Sequence, residues 1–360
     1  MSEFFDVAVV GGSAIGGVCA AECAKRGYKT VILEEDPVVG KFRRCTSICS
    51  TSGLRSTGVP FSDSVLNTVM GAVIHSPRNE LTLRMREKRA VVFDRQVFDE
   101  RSVGSAVSHG AELRLDSRVT AFRWRNLSTR AGDVNSSIVV GADGAASSTA
   151  AAYGFPAINR FVYCYEAEVA SVDVSHRDLV EVFFDNVAIP GFFGWIVPVD
   201  ERTARVGFGV NDPSRLPKAK HDFFAKKEVA PYSSGEIVRE FHAAIPVRAR
   251  KSTQKDSVIL VGDAAGQTKS TTGGGLVFGS VCAKVAGESI DMHLSDGEKL
   301  DYDRRWRSAY GLPLSLHRNV RRIADRLDNS LLDAIVSLNS NPLSLSLLSR
   351  FGDMDFLFKV

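Results

Sequence analysis

Residues 6–34 read DVAVVGGSAIGGVCAAECAKRGYKTVILE, and this stretch decides the fold. Its apolar run at 6–10 is typical of a buried strand and leads directly into a glycine-rich turn at Gly11. Small residues follow in a helical stretch, and a second apolar run ends on Glu34, roughly 20 positions beyond the first glycine. This order of strand, glycine turn, helix, strand and acid predicts a site for a dinucleotide.

Each part of this unit has a physical task. Gly11 allows the chain to turn sharply as it leaves the strand, and Gly16 allows the helix to pack closely on the sheet. The helix start at Ser13 and Ala14 offers N–H groups and partial positive charge to a pyrophosphate, although Ser13 replaces the usual middle glycine. Glu34 can accept hydrogen bonds from a ribose diol. Because glycines also serve strand–helix packing, the position of Glu34 is what favours the dinucleotide interpretation.

The composition is ordinary for a globular protein with a sizeable core, since 44% of the 360 residues are hydrophobic and 24% are charged. The net charge of +3 is too small to indicate nucleic-acid binding. No apolar stretch approaches the roughly 18 residues that span a bilayer. The first strand begins by Phe4, so we expect no signal peptide. The spacing of the cysteines is not that of a disulfide framework or a zinc site, which predicts a cytosolic protein with reduced thiols and no metal.

Other segments predict further strands and helices of the cofactor domain, and a region between them predicts a different kind of sheet. Short buried strands are predicted at 137–140 and 257–261, a helix at 94–110 and one continuous strand at 111–122. The strand-like runs between 161 and 210 lack long helices and predict an antiparallel sheet. We therefore predict an α/β fold with an α+β insertion, in which an interrupted Rossmann-like domain carries an antiparallel-sheet substrate domain and a helical C-terminus. The expected boundaries are 1–65, 90–155 and 246–295 for the cofactor domain, 66–89 and 156–245 for the substrate domain, and 296–360 for the C-terminal segment.

Four separated elements together resemble the single-FAD oxidoreductases related to para-hydroxybenzoate hydroxylase. They are the opening fingerprint, the helix start Asp94-Arg95, the GADG stretch at 141–144 and the GDAAG stretch at 262–266. Because they occur in this order and spacing, the resemblance covers nearly the whole chain. It implies that the interrupted domain binds FAD.

Finer features resemble one branch, the geranylgeranyl reductase family. Arg44-Cys45 stands where that family has an Arg-Cys pair before a flexible loop. The stretch FGWIVP at 193–198, followed by GFG at 207–209, resembles the family's aromatic and glycine block. The TTGGG stretch at 271–275 completes the match. The combination is specific, whereas any one part is not.

The resemblance implies roles for individual residues. It places the 44–48 loop beside the flavin, Asp263 on the ribityl hydroxyls, the helix start after Gly273 at the flavin pyrimidine, and the backbone of Val119 at the adenine. The implied FAD-binding residues are Gly11, Ser13, Ala14, Gly16, Glu34, Arg44, Cys45, Thr46, Ile48, Arg95, Val119, Asp143, Gly144, Asp263, Gly274, Gly275 and Leu276.

Several of these residues also have ordinary structural interpretations. Asp263 could cap the turn that follows it, and Arg95 could form a surface salt bridge. The glycines at 273–275 could form a bend for packing, Asp143-Gly144 could be only a turn, and Val119 could belong to the core. The sequence leaves these alternatives open.

Cys45, Phe193 and Trp195 are the candidate catalytic residues. A thiol at Cys45 could relay a proton or line the pocket, and the neighbouring Arg43 and Arg44 would favour its thiolate form. Cys49, four residues on, allows a redox pair. The aromatic stretch with Phe193 and Trp195 could line a tunnel for an isoprenoid chain or form ordinary core.

The implied activity is an FAD-dependent reductase that saturates carbon–carbon double bonds of isoprenoid chains in archaeal-type membrane lipid precursors. Hydride would come from reduced flavin, and Cys45 or water would supply the proton. Since only one dinucleotide fingerprint is present, the electron donor would be ferredoxin, a deazaflavin or NAD(P)H. Two alternatives stay open: an oxygen-dependent hydroxylase of the same fold, and an electron-transfer flavoprotein that reduces a quinone.

The C-terminal segment contains a basic helical face that has two interpretations. Arg318, Arg321, Arg322 and Arg326 alternate with apolar residues at helical spacing, which gives the helix a basic and an apolar face. Such a helix could rest on the surface of a membrane or bind a lipid phosphate. A solvated face on a packed helix is the alternative.

Overall fold

The computed structural model describes residues 3–41, 44–85, 87, 89–341, 344, 345 and 355. Its strands are β1 (Glu3–Val10), β2 (Thr30–Leu33), β3 (Ile48–Ser50), β4 (Val65–Val69), β5 (Gly71–His75), β6 (Glu80–Arg84), β7 (Ala90–Phe93), β8 (Glu112–Arg114), β9 (Val119–Arg123), β10 (Asn126–Thr129), β11 (Gly132–Gly141), β12 (Phe161–Ala170), β13 (Leu179–Phe183), β14 (Gly194–Pro198), β15 (Ala204–Val210), β16 (Glu236–Pro246), β17 (Gln254–Lys255) and β18 (Val258–Leu260). Its α-helices are α1 (Ala14–Ala24), α2 (Thr51–Thr57), α3 (Arg95–Ser108), α4 (Ser148–Ala152), α5 (Leu216–Phe224), α6 (Leu276–Ser295), α7 (Tyr302–Ala324) and α8 (Asn329–Asn339).

The first sheet has the strand order β17-β18-β11-β1-β2-β8, and the strands from β18 to β8 run parallel. β1 is buried on both faces: Val7 and Val9 belong to one core cluster, Ala8 and Val10 to another. This burial explains the near-continuous apolar run in the sequence, because parallel sheets are covered on both sides. Helices α1, α3 and α6 pack together on one face. The predicted Rossmann-like domain is confirmed.

The second sheet has the order β16-β12-β15-β14-β13-β5-β6. Its neighbouring strands are antiparallel except for β5 and β13, which pair in parallel. Along β12, Tyr165 and Ala167 face the core under α5, whereas Val162 and Cys164 face the opposite core. A small three-stranded sheet, β3-β7-β4, is separate from both. The predicted antiparallel sheet is therefore confirmed, with one parallel pair that the sequence pattern did not indicate.

The prediction of one continuous strand at 111–122 is wrong. The chain forms β8 and β9 instead, and Asp116 between them has a φ of 50°. β8 pairs with β2, whereas β9 pairs with β10 as a hairpin. Leu113 packs against one core cluster, whereas Val119 and Phe122 pack in another, so the two strands belong to different parts of the sheet.

The end of the described chain is helical, as predicted. α7 continues through Pro313, and α8 follows after a short turn. Among the helices that the structure describes, none is both long and apolar enough to cross a bilayer.

Candidate cofactor and substrate site

Four loops meet at one edge of the first sheet. Gly11 follows β1, Glu34 follows β2, Ala142 follows β11, and Asp263 follows β18. The last residues of these strands are in register, since Val10 pairs with Leu33 and Gly141, and Gly141 pairs with Leu260. Ligands of open α/β sheets bind in the crevice outside these carboxyl ends.

The turn after β1 requires glycine at its first position. Gly11 has a φ of 106°, and a Cβ there would lie 2.5 Å from the Ala142 carbonyl oxygen. Gly16 lies against the Gly11 carbonyl, so a side chain there would also collide with backbone. The Glu34 carboxylate accepts hydrogen bonds from the N–H groups of Gly12 at 2.6 Å and Asp36 at 2.9 Å. Glu34 is therefore held at the turn, and burial raises its pKa.

The start of α1 is capped by a residue that the sequence analysis did not identify. Asp99, only 4% exposed, accepts hydrogen bonds from Ala14 N at 2.9 Å and Arg95 Nε at 2.8 Å. Burial raises the pKa of Asp99, although the positive charge of Arg95 lowers it in part. Ser13, at the N-cap position, makes no capping bond with its side chain. The sequence shows that Asp99 lies one helical turn after Arg95, but it does not indicate that Asp99 reaches the start of α1, 85 positions away.

A cavity of about 230 Å³ joins these groups. It contains cationic side chains, carboxylates and the start of α1, an arrangement that suits a ligand with both phosphates and hydroxyls. FAD fits this donor set, because its pyrophosphate would meet cations and N–H groups while its ribose and ribityl hydroxyls would meet carboxylates. The lining residues are Gly12, Ser13, Glu34, Asp36, Gly40, Lys41, Arg44, Arg95, Asp99 and Asp263.

Asp263 lies next to the start of α6. A Cβ on Gly275 would lie 2.6 Å from Asp263 Oδ1, and a Cβ on Gly274 would lie 2.7 Å from Lys269 Cε. Glycine therefore lets both side chains reach the beginning of the helix at Leu276. Burial raises the pKa of Asp263, and the nearby Arg95 opposes this shift. Buried Lys269 pairs with Asp355 beside the same loop.

The loop from Arg44 to Ile48 extends from the cavity to the second sheet. Arg44 lines the cavity. Burial alone would lower the pKa of the Arg95 guanidinium, but Asp99 and then the nearby Cys45 outweigh it and raise that pKa. Cys45 Sγ also accepts from Ser47 N at 3.3 Å, and Ile48 packs against the core beneath the second sheet. Cys45 and Cys49 are free thiols. Arg43 lies outside the described residues.

The most unusual group near this loop is a buried acid, Glu166, which is 0% exposed on β12. Its Oε2 accepts hydrogen bonds from Trp195 Nε1 at 2.9 Å and from the Thr46 hydroxyl. Its Oε1 has no partner among the described residues. Burial raises the pKa of Glu166, although the Thr46 hydrogen bond opposes the shift. The sequence offered only a weak signal, an acid within the apolar strand.

The aromatic block forms a row of rings above two glycines. A Cβ on Gly207 would lie 2.6 Å from the Trp195 indole, and a Cβ on Gly209 would lie 2.6 Å from the Phe192 ring. Phe193 stacks on Phe192 at 4.2 Å and meets Trp195 edge-on at 5.8 Å. The Gly-x-Gly pattern therefore makes space for these rings on the neighbouring strand. The candidate catalytic residues Phe193 and Trp195 thus lie next to one another, and Trp195 contacts Glu166.

Three other candidate residues, Asp143, Gly144 and Val119, are not among the residues that line the cavity. The Asp143 carboxylate accepts from Ser147 Oγ at 2.6 Å and Thr149 N at 2.8 Å, so its side chain holds the start of α4. The Asp143 Cα lies near the Gly11 turn, and Gly144 follows with a φ of 75°. A role of this pair in cofactor binding stays a prediction, and the Asp143 carboxylate itself is directed at α4. Val119 is buried at the first position of β9.

A buried histidine beside the glycine loop should make stability depend on pH. His317 is 1% exposed, its Nδ1 lies 2.7 Å from the Thr271 hydroxyl, and burial lowers its pKa to about 4. Between that value and the usual 6.5, the unfolded chain binds more protons, so acid destabilises the fold. The His317 contribution should fall by about 2 kcal/mol from pH 7 to pH 5.

The measurement is urea unfolding at both pH values for the unmodified protein and for His317→Gln. The variant should lose less stability on acidification, because it has no buried imidazole that binds a proton on unfolding. Buried carboxyls contribute equally to both proteins and cancel in the comparison. His221→Gln is the matched control, since the His221 side chain is 84% exposed. An equal pH dependence in all three proteins would show that His317 does not stay neutral in the fold.

Comparisons with known proteins agree with this architecture. The family described as FAD binding domain matches residues 5–281. An uncharacterised protein of Methanocaldococcus jannaschii is 30% identical, over 98% of this chain and 92% of that protein. Digeranylgeranylglycerophospholipid reductase of the same organism is 27% identical, over 93% of this chain and 90% of the reductase. The crystal structure of a geranylgeranyl bacteriochlorophyll reductase-like protein from Thermoplasma acidophilum has a TM-score of 0.85 and 21% identity, covering 98% of this chain and 97% of that protein.

Proposed function

The chain belongs to the FAD binding domain family, and we propose that it saturates carbon–carbon double bonds of geranylgeranyl chains in membrane lipid precursors. It is an FAD-dependent oxidoreductase, in agreement with the reductases that it resembles along nearly its whole length. The observation that carries the proposed reaction is the buried Glu166, held beside the Cys45 loop by Thr46 and Trp195.

Reduction of a double bond needs one hydride and one proton. When bound, reduced FAD supplies the hydride that adds to one carbon. The second carbon then needs an acid that still holds its proton at neutral pH. Glu166 is the candidate, because burial raises its pKa and so favours the protonated form. Since Oε2 already accepts two hydrogen bonds, we place the proton on the unpartnered Oε1.

Cys45 is the second candidate proton donor. Its thiol is half-buried beside Arg95. The next residue of the loop, Thr46, donates a hydrogen bond from its hydroxyl to Glu166. We propose that Cys45 lines the pocket and that Glu166 donates the proton. Replacing each residue separately distinguishes the two roles.

The other residues of the site would position the reactants and exclude water. The rings of Phe193 and Trp195 provide an apolar wall for an isoprenoid chain. At the other end, Gly274, Gly275 and Leu276 form the start of α6, where partial positive charge favours the negative charge of a reduced flavin. Glu34, Arg95 and Asp263 would bind the rest of the cofactor, as the cavity lining suggests. The source of the electrons would be an external donor.

The test is to identify the product. The purified flavoprotein is kept reduced with dithionite under anaerobic conditions, supplied with a geranylgeranylated lipid, and the lipid is analysed by mass spectrometry. We expect a gain of two mass units for each double bond reduced. Hydroxylation that requires oxygen would favour the hydroxylase alternative. Rapid quinone reduction with unchanged lipid would favour the electron-transfer alternative.

A further inference from the structure

A second cavity, of about 360 Å³, lies away from the predicted FAD-binding residues. It forms where the start of β12, the segment after β16 and the end of α7 come together. We call it the arginine cleft because five arginines from these three segments line it. They are Arg160, Arg248, Arg318, Arg321 and Arg322.

The arginine cleft has an excess of positive charge. Among the described residues that line it, Asp325 carries the one carboxylate, and that group pairs with Arg321. Arg160, Arg248 and Arg322 form no ion pair with any residue that the structure describes. The cleft therefore favours an anionic ligand, because several arginines converge on one concave surface that has little negative charge.

Two observations show that the cleft is more than a solvated basic surface. Arg321 is only 11% exposed, and its guanidinium donates to the carbonyl groups of Gly191 and Ser270. Its position is therefore set by the protein. Arg318 Nε is buried and has no acceptor among the described residues, although Nη2 donates to Ser315. A buried donor without an acceptor costs free energy, which a bound anion would recover.

The cleft also adjoins the aromatic row through Arg321. The Arg321 guanidinium lies 4.7 Å from the centre of the Phe192 ring, and Phe192 stacks on Phe193. Phe193 in turn contacts Trp195, which donates to Glu166. A ligand with an anionic head in the cleft could therefore have its apolar chain directed toward Phe192.

We propose that the arginine cleft binds the phosphate group of an isoprenoid lipid phosphate and thereby directs its apolar chain along the aromatic row. Phosphate suits the site because each guanidinium can donate two hydrogen bonds to it. This inference rests on the proposed reductase function and adds the class of head group to it. The cleft would discriminate between phosphorylated and uncharged lipids of the same chain.

The test compares geranylgeranylglyceryl phosphate with uncharged geranylgeranylglycerol as substrates. We expect the Arg160→Gln/Arg322→Gln double variant to raise the KM for the phosphate about tenfold or more, with little change in kcat or in the KM for the alcohol. Both arginines are exposed and form no ion pair with the residues that the structure describes, so the variant should fold. Arg130→Gln/Arg202→Gln is the matched control, because it removes the same charge from exposed positions outside the cleft.

Calorimetric titration with the same lipid phosphate, and separately with inorganic phosphate, provides a readout that does not depend on turnover. Weaker binding of the lipid phosphate to the cleft variant, but not to the control, would support the proposal. Equal KM values for phosphate and alcohol in the unmodified protein, or equal effects of both variants, would overturn it. The proposal would also be overturned if inorganic phosphate bound to the protein and the lipid phosphate did not. If the lipid phosphate binds at the cleft and neither lipid is reduced, the reductase function fails while the cleft still binds the phosphate.

Discussion

Gly11→Ala is expected to yield a folded protein that no longer retains FAD. Gly11 has a φ of 106°, where an L side chain is strained, and the new Cβ would lie 2.5 Å from the Ala142 carbonyl oxygen. The atoms that the new Cβ would meet belong to the backbone, so relief requires the turn and the Ala142 loop to separate. That movement would displace Gly12 and Ser13, which line the cavity. We expect the affinity for FAD to fall about 100-fold, a cost of about 3 kcal/mol.

The measurement is the ratio of flavin to protein absorbance after purification, followed by titration of the variant with FAD. Gly104→Ala is the control, since Gly104 lies in α3 with nothing within 4 Å of its Cβ position. That change should leave FAD binding intact and increase stability by about 0.5–1 kcal/mol. Normal flavin content in Gly11→Ala would contradict the assignment of this turn to the cofactor.

Glu166→Gln is expected to reduce kcat for double-bond reduction about 100-fold or more while FAD remains bound. Glutamine has nearly the same shape and can still accept from Trp195 and Thr46. It has no carboxyl proton to donate. In the unmodified enzyme the protonated acid is the active form, so kcat should decline as pH rises through the raised pKa of Glu166. That decline should be absent from the residual activity of the variant.

Two further variants separate the alternatives. Glu240→Gln changes an acid on the neighbouring strand β16, whose carboxylate hydrogen-bonds to the Tyr165 hydroxyl, and it should retain full activity. Cys45→Ser should retain kcat within about tenfold if the thiol lines the pocket. A severe loss in Cys45→Ser together with an active Glu166→Gln would assign the proton to the cysteine instead.

The parts of the fold that the sequence predicts well are those with local signals. The Gly11 turn and Glu34 occur within one strand–helix–strand unit, so their relative positions follow from secondary structure alone. The GDAAG stretch at 262–266 likewise follows a buried strand, and parallel packing brings it to the same edge. The resemblance to FAD oxidoreductases and to geranylgeranyl reductases is confirmed by the family match and by the named relatives.

The features that could not be predicted depend on contacts between distant segments. The caps at Ala14 and Thr149 are provided by Asp99 and Asp143, and no periodicity indicates which N–H an acid will find. Glu166 is separated from Thr46 by 120 positions, so its role depends on how the second sheet packs on the first domain. The alternation along β12 could have shown that Glu166 shares a face with Cys164. It could not have shown what that face covers.

The arginine cleft illustrates the same limit. The arginines of α7 were visible as a basic face at helical spacing, and a solvated surface was an equally simple interpretation. Arg160 and Arg248 come from segments far from α7 in the sequence, and only the folded chain brings them together. The basic face of α7 therefore forms one wall of a concave site next to Phe192.

The central claim is that an isoprenoid double bond is reduced at this site. The most direct test mixes the anaerobically reduced flavoprotein, free of excess dithionite, with one equivalent of geranylgeranylated lipid and follows flavin absorbance. We predict reoxidation of the flavin by the lipid in proportion to the double bonds reduced, with a lipid product two mass units heavier for each. The fully saturated lipid should cause no reoxidation. A flavin that stays reduced in the presence of the unsaturated lipid, or that reoxidises while the lipid mass is unchanged, would contradict the account.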